Sequence, residues 1–128
     1  MLEAGIRGEQ SVAVTSENTA KTMGSGTLDV FATPALVALA EKTCWMSVAA
    51  ALDEGCGTVG TELRVKHLAA TPLGMTVTAK TELTAVEGRK LTFKVEAFDE
   101  AGKIGEGEHE RFIIQNEKFL AKTNAKKA

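Results

Sequence analysis

The sequence predicts an α+β domain in which one long apolar helix packs against a single antiparallel sheet. Residues 34–52 contain only two charged side chains, Glu41 and Lys42, and an apolar stretch of this length is typical of a buried helix. One strand pattern precedes this segment, and four stretches of alternating apolar and polar residues follow it. This order of strand, helix and four strands is typical of a helix layered on an antiparallel sheet.

The predicted helix has clear start and stop signals. Thr33 is a good N-cap residue, because its hydroxyl can accept a hydrogen bond from a free amide of the first turn. Pro34 takes the first helical position, where its missing amide hydrogen has no cost. Gly55, shortly after Leu52, is a natural C-terminal stop. The helix is expected to be buried on nearly all sides, so the carboxylate of Glu41 in its middle needs an explanation.

The predicted strands are separated by turn signals, and short turns favour antiparallel neighbours. Before the helix come a short strand pattern at 11–16 and a glycine- and serine-rich connection at 23–31, which is expected to be a flexible loop or lid. The four later strands are predicted at 58–70, 75–87, 90–99 and 104–116. The lysine-rich tail, 117–128, is expected to form a short, partly frayed helix.

Composition and charge limit the function classes. A chain of 128 residues with 44% hydrophobic content is expected to form one domain, 1–128, with its core at about 8–116. The net charge of −2 argues against a nucleic-acid partner, and the Glu-Lys pair inside the helix argues against a membrane span. The two isolated cysteines, Cys44 and Cys56, and the absence of a signal-like apolar run at the N-terminus favour a cytoplasmic protein with free thiols.

Three polar residues in apolar surroundings are the candidate site residues. Glu41 lies within the helix, Thr33 lies at its start, and His67 is in phase with Val59 and Leu63 on the inward face of its strand. Each also has a plain structural alternative: a cap, an ion pair or a satisfied core histidine. Thr33 and Glu41 are eight residues apart, about 12 Å along a helix, so only a third group or a second subunit can connect them.

The last predicted strand carries a second group of polar positions. Gly105 and Gly107 lie two residues apart on one face, where the missing side chains allow the helix or a ligand to come close. His109 and Arg111 continue the same phase, so they either extend a polar pocket or lie in solvent. One helix can cover only one face of the sheet, and apolar residues beyond that face favour dimerisation.

Three segments resemble hotdog-fold thioesterases related to fluoroacetyl-CoA thioesterase. They are VFATPALVALAE at 30–41, VKHLAATPLG at 65–74 and GEHERF at 107–112, and the resemblance covers roughly residues 8–116. It implies the hotdog fold, in which a five-stranded antiparallel sheet wraps one long buried helix. It also implies a homodimer, or a dimer of dimers, with sites at the subunit interface.

The resemblance also implies site residues and a reaction. The family's threonine, glutamate and histidine fall on Thr33, Glu41 and His67, and positions that contact the substrate fall on Gly60 and Arg111. The implied reaction is hydrolysis of a small acyl-CoA thioester to the free acid and CoA. No metal and no redox cofactor is implied, because CoA is part of the substrate.

Other functions are left open by the sequence. A hotdog dimer can bind an acyl-CoA or another pantetheine thioester without cleaving it, and release of CoA in a thiol assay separates the two functions. A hotdog hydratase for enoyl-CoA predicts an aspartate and a histidine close together on the helix, and this helix has no such pair. Residues 23–29 contain no aromatic residue, which a lid specialised for fluoroacetyl-CoA is expected to have, so the acyl group is left open.

Overall fold

The long helix lies across one face of a five-stranded antiparallel sheet in the computed structural model, which describes residues 2–127. The predicted α+β architecture is therefore confirmed. The elements are β1 (Arg7–Ala13), α1 (Ala20–Met23), α2 (Thr33–Val48), β2 (Cys56–His67), β3 (Thr76–Glu87), β4 (Lys90–Asp99), β5 (Gly102–Gln115) and α3 (Asn116–Asn124). Short 3₁₀ segments follow α2 and α3.

The strand order is β1-β3-β4-β5-β2, so β1 and β2 form the two edges of the sheet. The hairpins β3–β4 and β4–β5 agree with the predicted turns, whereas β2 pairs with β5 and not with β3. β1 begins four residues earlier and ends three residues earlier than the predicted strand at 11–16. The pairing of β2 with β5 places His67 opposite Gly105 and Gly60 opposite Arg111.

The start of α2 differs from the prediction. Ala32 is the N-cap residue, Thr33 is the first helical residue, and no side chain caps the helix. The predicted capping role of Thr33 is therefore wrong, because its hydroxyl is bonded to another residue, as described below. The α-helix ends at Val48, and the three alanines that follow form a 3₁₀ turn, so the predicted extension to Leu52 is also wrong.

One side of α2 is buried and the other is partly exposed. Trp45 is 45% exposed and Met46 is 40% exposed, because the sheet covers only one side of the helix. Burial on nearly all sides is thus not found in the single chain. The buried side consists of Leu36, Leu39, Ala40, Thr43, Cys44 and Val48. Burial raises the pKa of the Cys44 thiol to about 12, as expected for an unreactive core cysteine.

Two clusters of buried side chains fix the two halves of α2 on the sheet. The first contains Leu36 and Leu39 with Val14, Phe31, Val77, Ala79, Ala97 and Ile104. The second contains Ala40, Cys44 and Val48 with Leu83, Leu91, Phe93 and Val95. Each half of α2 is therefore held on the sheet by its own cluster. The first cluster fixes the half that contains Thr33, and the second fixes the half that follows Leu39.

A bulge in β2 changes which side chains face the helix. The register of β2 shifts between Gly60 and Glu62. The partners of Gly60 and Leu63 on β5 are two residues apart, so both positions face the same side of the sheet. The prediction that Val59 shares a face with Leu63 is therefore wrong, and Thr58 takes its place on that face.

The connection before α2 is more regular than predicted at its two ends. Thr19 caps α1 by accepting a hydrogen bond from the backbone N–H of Thr22 at 3.2 Å, and Gly24 ends α1 in the left-handed region at φ 75°. A bridge between Thr19 and Phe31 then fastens the segment in front of α2. Only the middle of the predicted flexible stretch, between α1 and this bridge, lacks regular structure.

The tail forms α3, which contains no buried residue and agrees with the predicted short helix. Within residues 2–127, no helix combines the length and apolar character that are needed to cross a membrane.

Candidate active site

The first candidate group joins the start of α2 to the end of β2. Thr33 Oγ1 and His67 Nδ1 are hydrogen-bonded at 2.8 Å. Gly105, opposite His67, explains how α2 can come this close to the sheet. A Cβ atom at position 105 would lie 3.1 Å from Leu36 Cδ2 and 3.1 Å from the Lys66 carbonyl oxygen. The predicted approach of the helix to this glycine is confirmed.

The imidazole of His67 is suited to interact with a bound group. Its Nε2 atom is buried and has no hydrogen-bond partner in the described part of the chain. Burial lowers the pKa of His67 below its usual value of 6.5, so the ring is mainly neutral at pH 7. A cavity of about 270 Å³ borders Thr33 and His67, and small side chains such as Ala20, Ala69 and Ala70 line much of it.

The second candidate group surrounds Gly60. Glu41 Oε2 lies 3.8 Å from Arg111 Nη1, and the Glu41 side chain is 43% exposed, whereas that of Arg111 is 7% exposed. A Cβ atom at position 60 would lie 2.7 Å from Glu41 Oε2 and 3.2 Å from Arg111 Nη1. A side chain there would obstruct the carboxylate, so the glycine keeps an approach to Glu41 open.

Arg111 is anchored by three hydrogen bonds. Its Nε donates to Thr58 Oγ1 at 2.7 Å, its Nη2 donates to the Thr58 carbonyl at 2.9 Å, and its Nη1 donates to His109 Nε2 at 3.0 Å. Burial lowers the pKa of Arg111 and the Glu41 charge opposes this effect, but a guanidinium stays protonated in proteins. The anchored cation therefore provides a fixed positive charge next to Glu41.

His109 and Thr58 complete this group: the sequence pattern left His109 only the choice between a polar pocket and solvent, and it assigned Thr58 no role. His109 is 1% exposed, and its Nδ1 lies 2.7 Å from the Glu62 carbonyl oxygen. Burial, assisted by the charge of Arg111, lowers the pKa of His109. Of the two alternatives stated for His109 and Arg111, exposure to solvent is wrong. The available sequence signal for His109 was its alternation in phase with Gly105, Gly107 and Arg111. Thr58 could not be recognised in this way, because the bulge changes the alternation of β2 between Thr58 and Leu63.

The two groups remain apart within one chain. Among residues 2–127, no hydrogen bond or ion pair links Thr33 or His67 to Glu41 or Arg111. The structure thus brings Thr33 to His67 and brings Glu41 to Gly60 and Arg111, but it does not bring Glu41 to His67. The described residues also contain no group of three or more His, Cys, Asp or Glu side chains that could hold a metal ion.

Comparison with known proteins identifies a family. The family model described as fluoroacetyl-CoA-specific thioesterase (FlK) matches residues 14–117. The chain is 48% identical over 98 residues to the fluoroacetyl-CoA thioesterase of Streptantibioticus cattleyicolor, and the match covers 77% of this chain and 70% of that relative.

Solved structures agree with this match. A structure of the fluoroacetyl-CoA thioesterase FlK has a TM-score of 0.93 and 39% identity, with 98% of each chain covered. A phenylalanine-to-alanine variant of FlK in complex with fluoroacetate and CoA has a TM-score of 0.86 and 39% identity, with 92% of this chain and 99% of that chain covered. The predicted hotdog fold and thioesterase class are confirmed by these likenesses, and the chain belongs to the family of fluoroacetyl-CoA-specific thioesterases.

Proposed function

We propose that the chain hydrolyses a small acyl-CoA thioester to the free acid and CoA, with Thr33, Glu41 and His67 as its catalytic residues. The observation that carries this proposal is the pair of half-sites on one scaffold. One half-site has a carboxylate, Glu41, beside the fixed cation of Arg111, and the other has the neutral imidazole of His67 bonded to Thr33. Thioester hydrolysis is catalysed by a general base, which activates water, and by a hydrogen-bond donor, which stabilises the negative charge on the carbonyl oxygen.

In the proposed reaction, Glu41 acts as the general base. It accepts a proton from water while the water oxygen attacks the thioester carbonyl carbon. The C–S bond then breaks, the proton passes to the CoA sulfur, and the acid and CoA leave. Direct attack by the Glu41 carboxylate is the alternative, and it would form an anhydride that water then cleaves.

His67 and Thr33 are proposed to stabilise the negative charge that develops on the carbonyl oxygen. When the Thr33 hydroxyl donates to Nδ1, the proton of neutral His67 is on Nε2. Nε2–H can then donate to the thioester oxygen. The backbone at Gly60 is the proposed contact for the same substrate, because its missing side chain leaves room beside Glu41.

A homodimer is proposed to bring the two half-sites together. β2 is an edge strand, so the backbone groups on its outer side are free to pair with a second copy. The strand Cys56–His67 would pair antiparallel with the same strand of another copy, about a two-fold axis. His67 at the end of one strand would then lie opposite the first half of the other copy's strand, which contains Gly60. Thr33 and His67 of one copy would then face Glu41 of the other.

The remaining properties follow from this chemistry. A short acyl group suits the cavity of about 270 Å³ beside Thr33 and His67. Hydrolysis changes no oxidation state, and Glu41 can activate water by itself, so no metal or redox cofactor is proposed. We expect turnover to persist after incubation with EDTA. The free cysteines Cys44 and Cys56 agree with the proposed cytoplasmic location.

The direct test is CoA release from a panel of thioesters, from acetyl-CoA and fluoroacetyl-CoA to longer chains. Glu41→Gln is expected to lower kcat about 100-fold or more, because it removes the base. Glu117→Gln in α3 is the matched control and should leave kcat unchanged. Unchanged turnover in Glu41→Gln would contradict the assignment, and saturable acyl-CoA binding without CoA release would make the chain a binding module.

Mixing two inactive variants tests the composite site. Glu41→Gln and His67→Gln homodimers each lack one residue in every site. A heterodimer of the two would contain one site with both residues intact, so an equilibrated equal mixture should regain about a quarter of wild-type activity. No recovery in a mixture that is shown to exchange subunits would mean that each site lies within one chain.

A further inference from the structure

His109 takes no part in the proposed reaction. It is nevertheless one of the most deeply buried polar side chains, with 1% exposure. It lies on β5 between Leu63 of β2 and Phe93 of β4. Its ring centroid is 6.3 Å from that of Phe93. Because the ring is enclosed by the sheet and the core, its two nitrogens need hydrogen-bond partners within the protein.

The partners of His109 allow one protonation state. Nδ1 faces the Glu62 carbonyl oxygen at 2.7 Å, and a carbonyl can only accept, so Nδ1 carries a proton. Nε2 faces Arg111 Nη1 at 3.0 Å, and a guanidinium can only donate, so Nε2 has no proton. The ring is therefore the neutral Nδ1–H tautomer, and a second proton would point directly at a cation.

His109 and Arg111 together join the two ends of the segment that surrounds Gly60. Thr58, two residues before Gly60, holds the Nε and Nη2 side of Arg111. Glu62, two residues after Gly60, is held by His109, which in turn holds Nη1 of Arg111. Both sides of the β2 bulge are thus connected to one guanidinium, and that guanidinium faces Glu41.

We infer that His109 is a positioning residue whose single neutral tautomer ties the Gly60 bulge to Arg111 and so sets the place of Arg111 beside Glu41. It is not an acid or base of the reaction, because both of its nitrogens are already occupied. The inference rests on the proposed function, but the tautomer can be measured without activity. Failure of the thioesterase assay and failure of this inference are therefore distinguishable.

The tautomer is read by ¹⁵N NMR of the histidine side chains. The chain has only two histidines, so His67→Gln leaves His109 as the single imidazole. We expect a protonated Nδ1 and an unprotonated Nε2 at pH 7. A protonated Nε2, or rapid exchange between the two tautomers, would overturn the inference even if no variant of His109 folds.

Two variants separate the bonds that His109 makes. In His109→Asn, the side-chain amide can replace Nδ1 and donate to the Glu62 carbonyl, but it is too short to reach Arg111. In His109→Gln, the side-chain oxygen can reach Arg111 in place of Nε2. Misplacement of a catalytic group by about 1 Å costs about 100-fold, so we expect a loss of that order in kcat/KM for His109→Asn and a clearly smaller loss for His109→Gln.

A double-variant cycle with Arg111→Gln tests whether His109 acts through Arg111. If it does, His109→Asn should lower kcat/KM much less when Arg111 is already replaced. Equal losses in both backgrounds would overturn the inference, as would equal losses in the two His109 variants. Thermal unfolding of each protein distinguishes these effects from simple loss of folded enzyme.

Discussion

The hydroxyl of Thr33 lies 2.8 Å from Nδ1 of His67, although 34 positions separate the two residues in the sequence. The contact connects the first turn of α2 with the last residue of β2. It also uses the hydroxyl that the sequence had suggested as a helix cap, and α2 has no side-chain cap. Thr33 therefore contributes to the proposed site and makes no capping bond.

Replacing Thr33 should thus affect activity much more than stability. Thr33→Val is expected to lower kcat/KM about 100-fold, because His67 loses the bond that orients its ring. Thr33→Ser keeps the hydroxyl and should retain most of the activity. The free energy of unfolding of Thr33→Val should stay within about 0.5 kcal/mol of wild type. A loss near 1 kcal/mol with activity intact would instead indicate a capping role.

Two glycines should give different results when each is changed to alanine. At Gly60, a Cβ atom would meet the mobile end of Glu41 at 2.7 Å, and also the anchored side chains of His109, at 3.1 Å, and Arg111, at 3.2 Å. We expect Gly60→Ala to lower kcat/KM at least about tenfold, because Glu41 moves aside and so leaves its place in the site. The loss of stability should be smaller than in Gly105→Ala, because side chains and not backbone are displaced.

At Gly105, one of the nearest obstacles is backbone, the Lys66 carbonyl oxygen at 3.1 Å. Backbone cannot move aside cheaply, so Gly105→Ala should lower the free energy of unfolding by about 1–3 kcal/mol. Denaturant titrations and CoA release measure both quantities for each variant. A stability loss confined to Gly60→Ala would contradict this division of roles.

The hairpin part of the fold could be predicted from the sequence, because local patterns determine it. β4 was predicted with its observed bounds, Lys90–Asp99, and its inward residues Leu91, Phe93, Val95 and Ala97 are all buried. The bulge at 60–62 could not be predicted in this way. The stretch Gly-Thr-Glu contains no apolar residue that would reveal the change of phase.

The site was less accessible to sequence analysis than the fold. Candidate residue types were visible, but the contact between Thr33 and His67 depends on the pairing of β2 with β5, which are not neighbours in the chain. The apolar face around Trp45 was interpreted as buried, because a sequence pattern does not distinguish burial within one chain from burial against a second copy. The phase of β5 indicated His109 and Arg111 as possible pocket residues, and the resemblance added a substrate contact for Arg111. The hydrogen bonds of Arg111 to Thr58 and His109 required coordinates.

Mild acid should destabilise the folded protein through its two histidines. Burial lowers the pKa of His67 and of His109, so between the folded and unfolded pKa values the unfolded chain binds more protons. The stabilising contribution is fully present above about pH 6.5, the unfolded value, and is lost as the pH falls through the lowered folded values. The free energy of unfolding should therefore decrease as the pH is lowered below about 6.5.

The variant His109→Gln should show a shallower decrease over the same range, because one of the two groups no longer titrates. Urea titrations at constant ionic strength, at several pH values, measure this slope. The same slope in wild type and variant would mean that His109 does not contribute to the acid sensitivity.

Arg111→Lys separates the charge of Arg111 from its geometry. A lysine keeps the positive charge in a site where the arginine side chain is 7% exposed, but its single nitrogen cannot replace three donors on a planar guanidinium. With the Thr58 and His109 acceptors left partly unsatisfied, we expect a loss of about 2–3 kcal/mol in the free energy of unfolding and a large fall in kcat/KM.

Arg64→Lys is the matched control for this change. Arg64 also pairs with a carboxylate, Glu108, at 2.9 Å, but its side chain is 68% exposed to solvent. Exposed ion pairs contribute little, so this variant should resemble wild type in both stability and activity. If Arg111→Lys behaves like Arg64→Lys, a positive charge near Glu41 is sufficient. The hydrogen bonds to Thr58 and His109 would then have no part in positioning it.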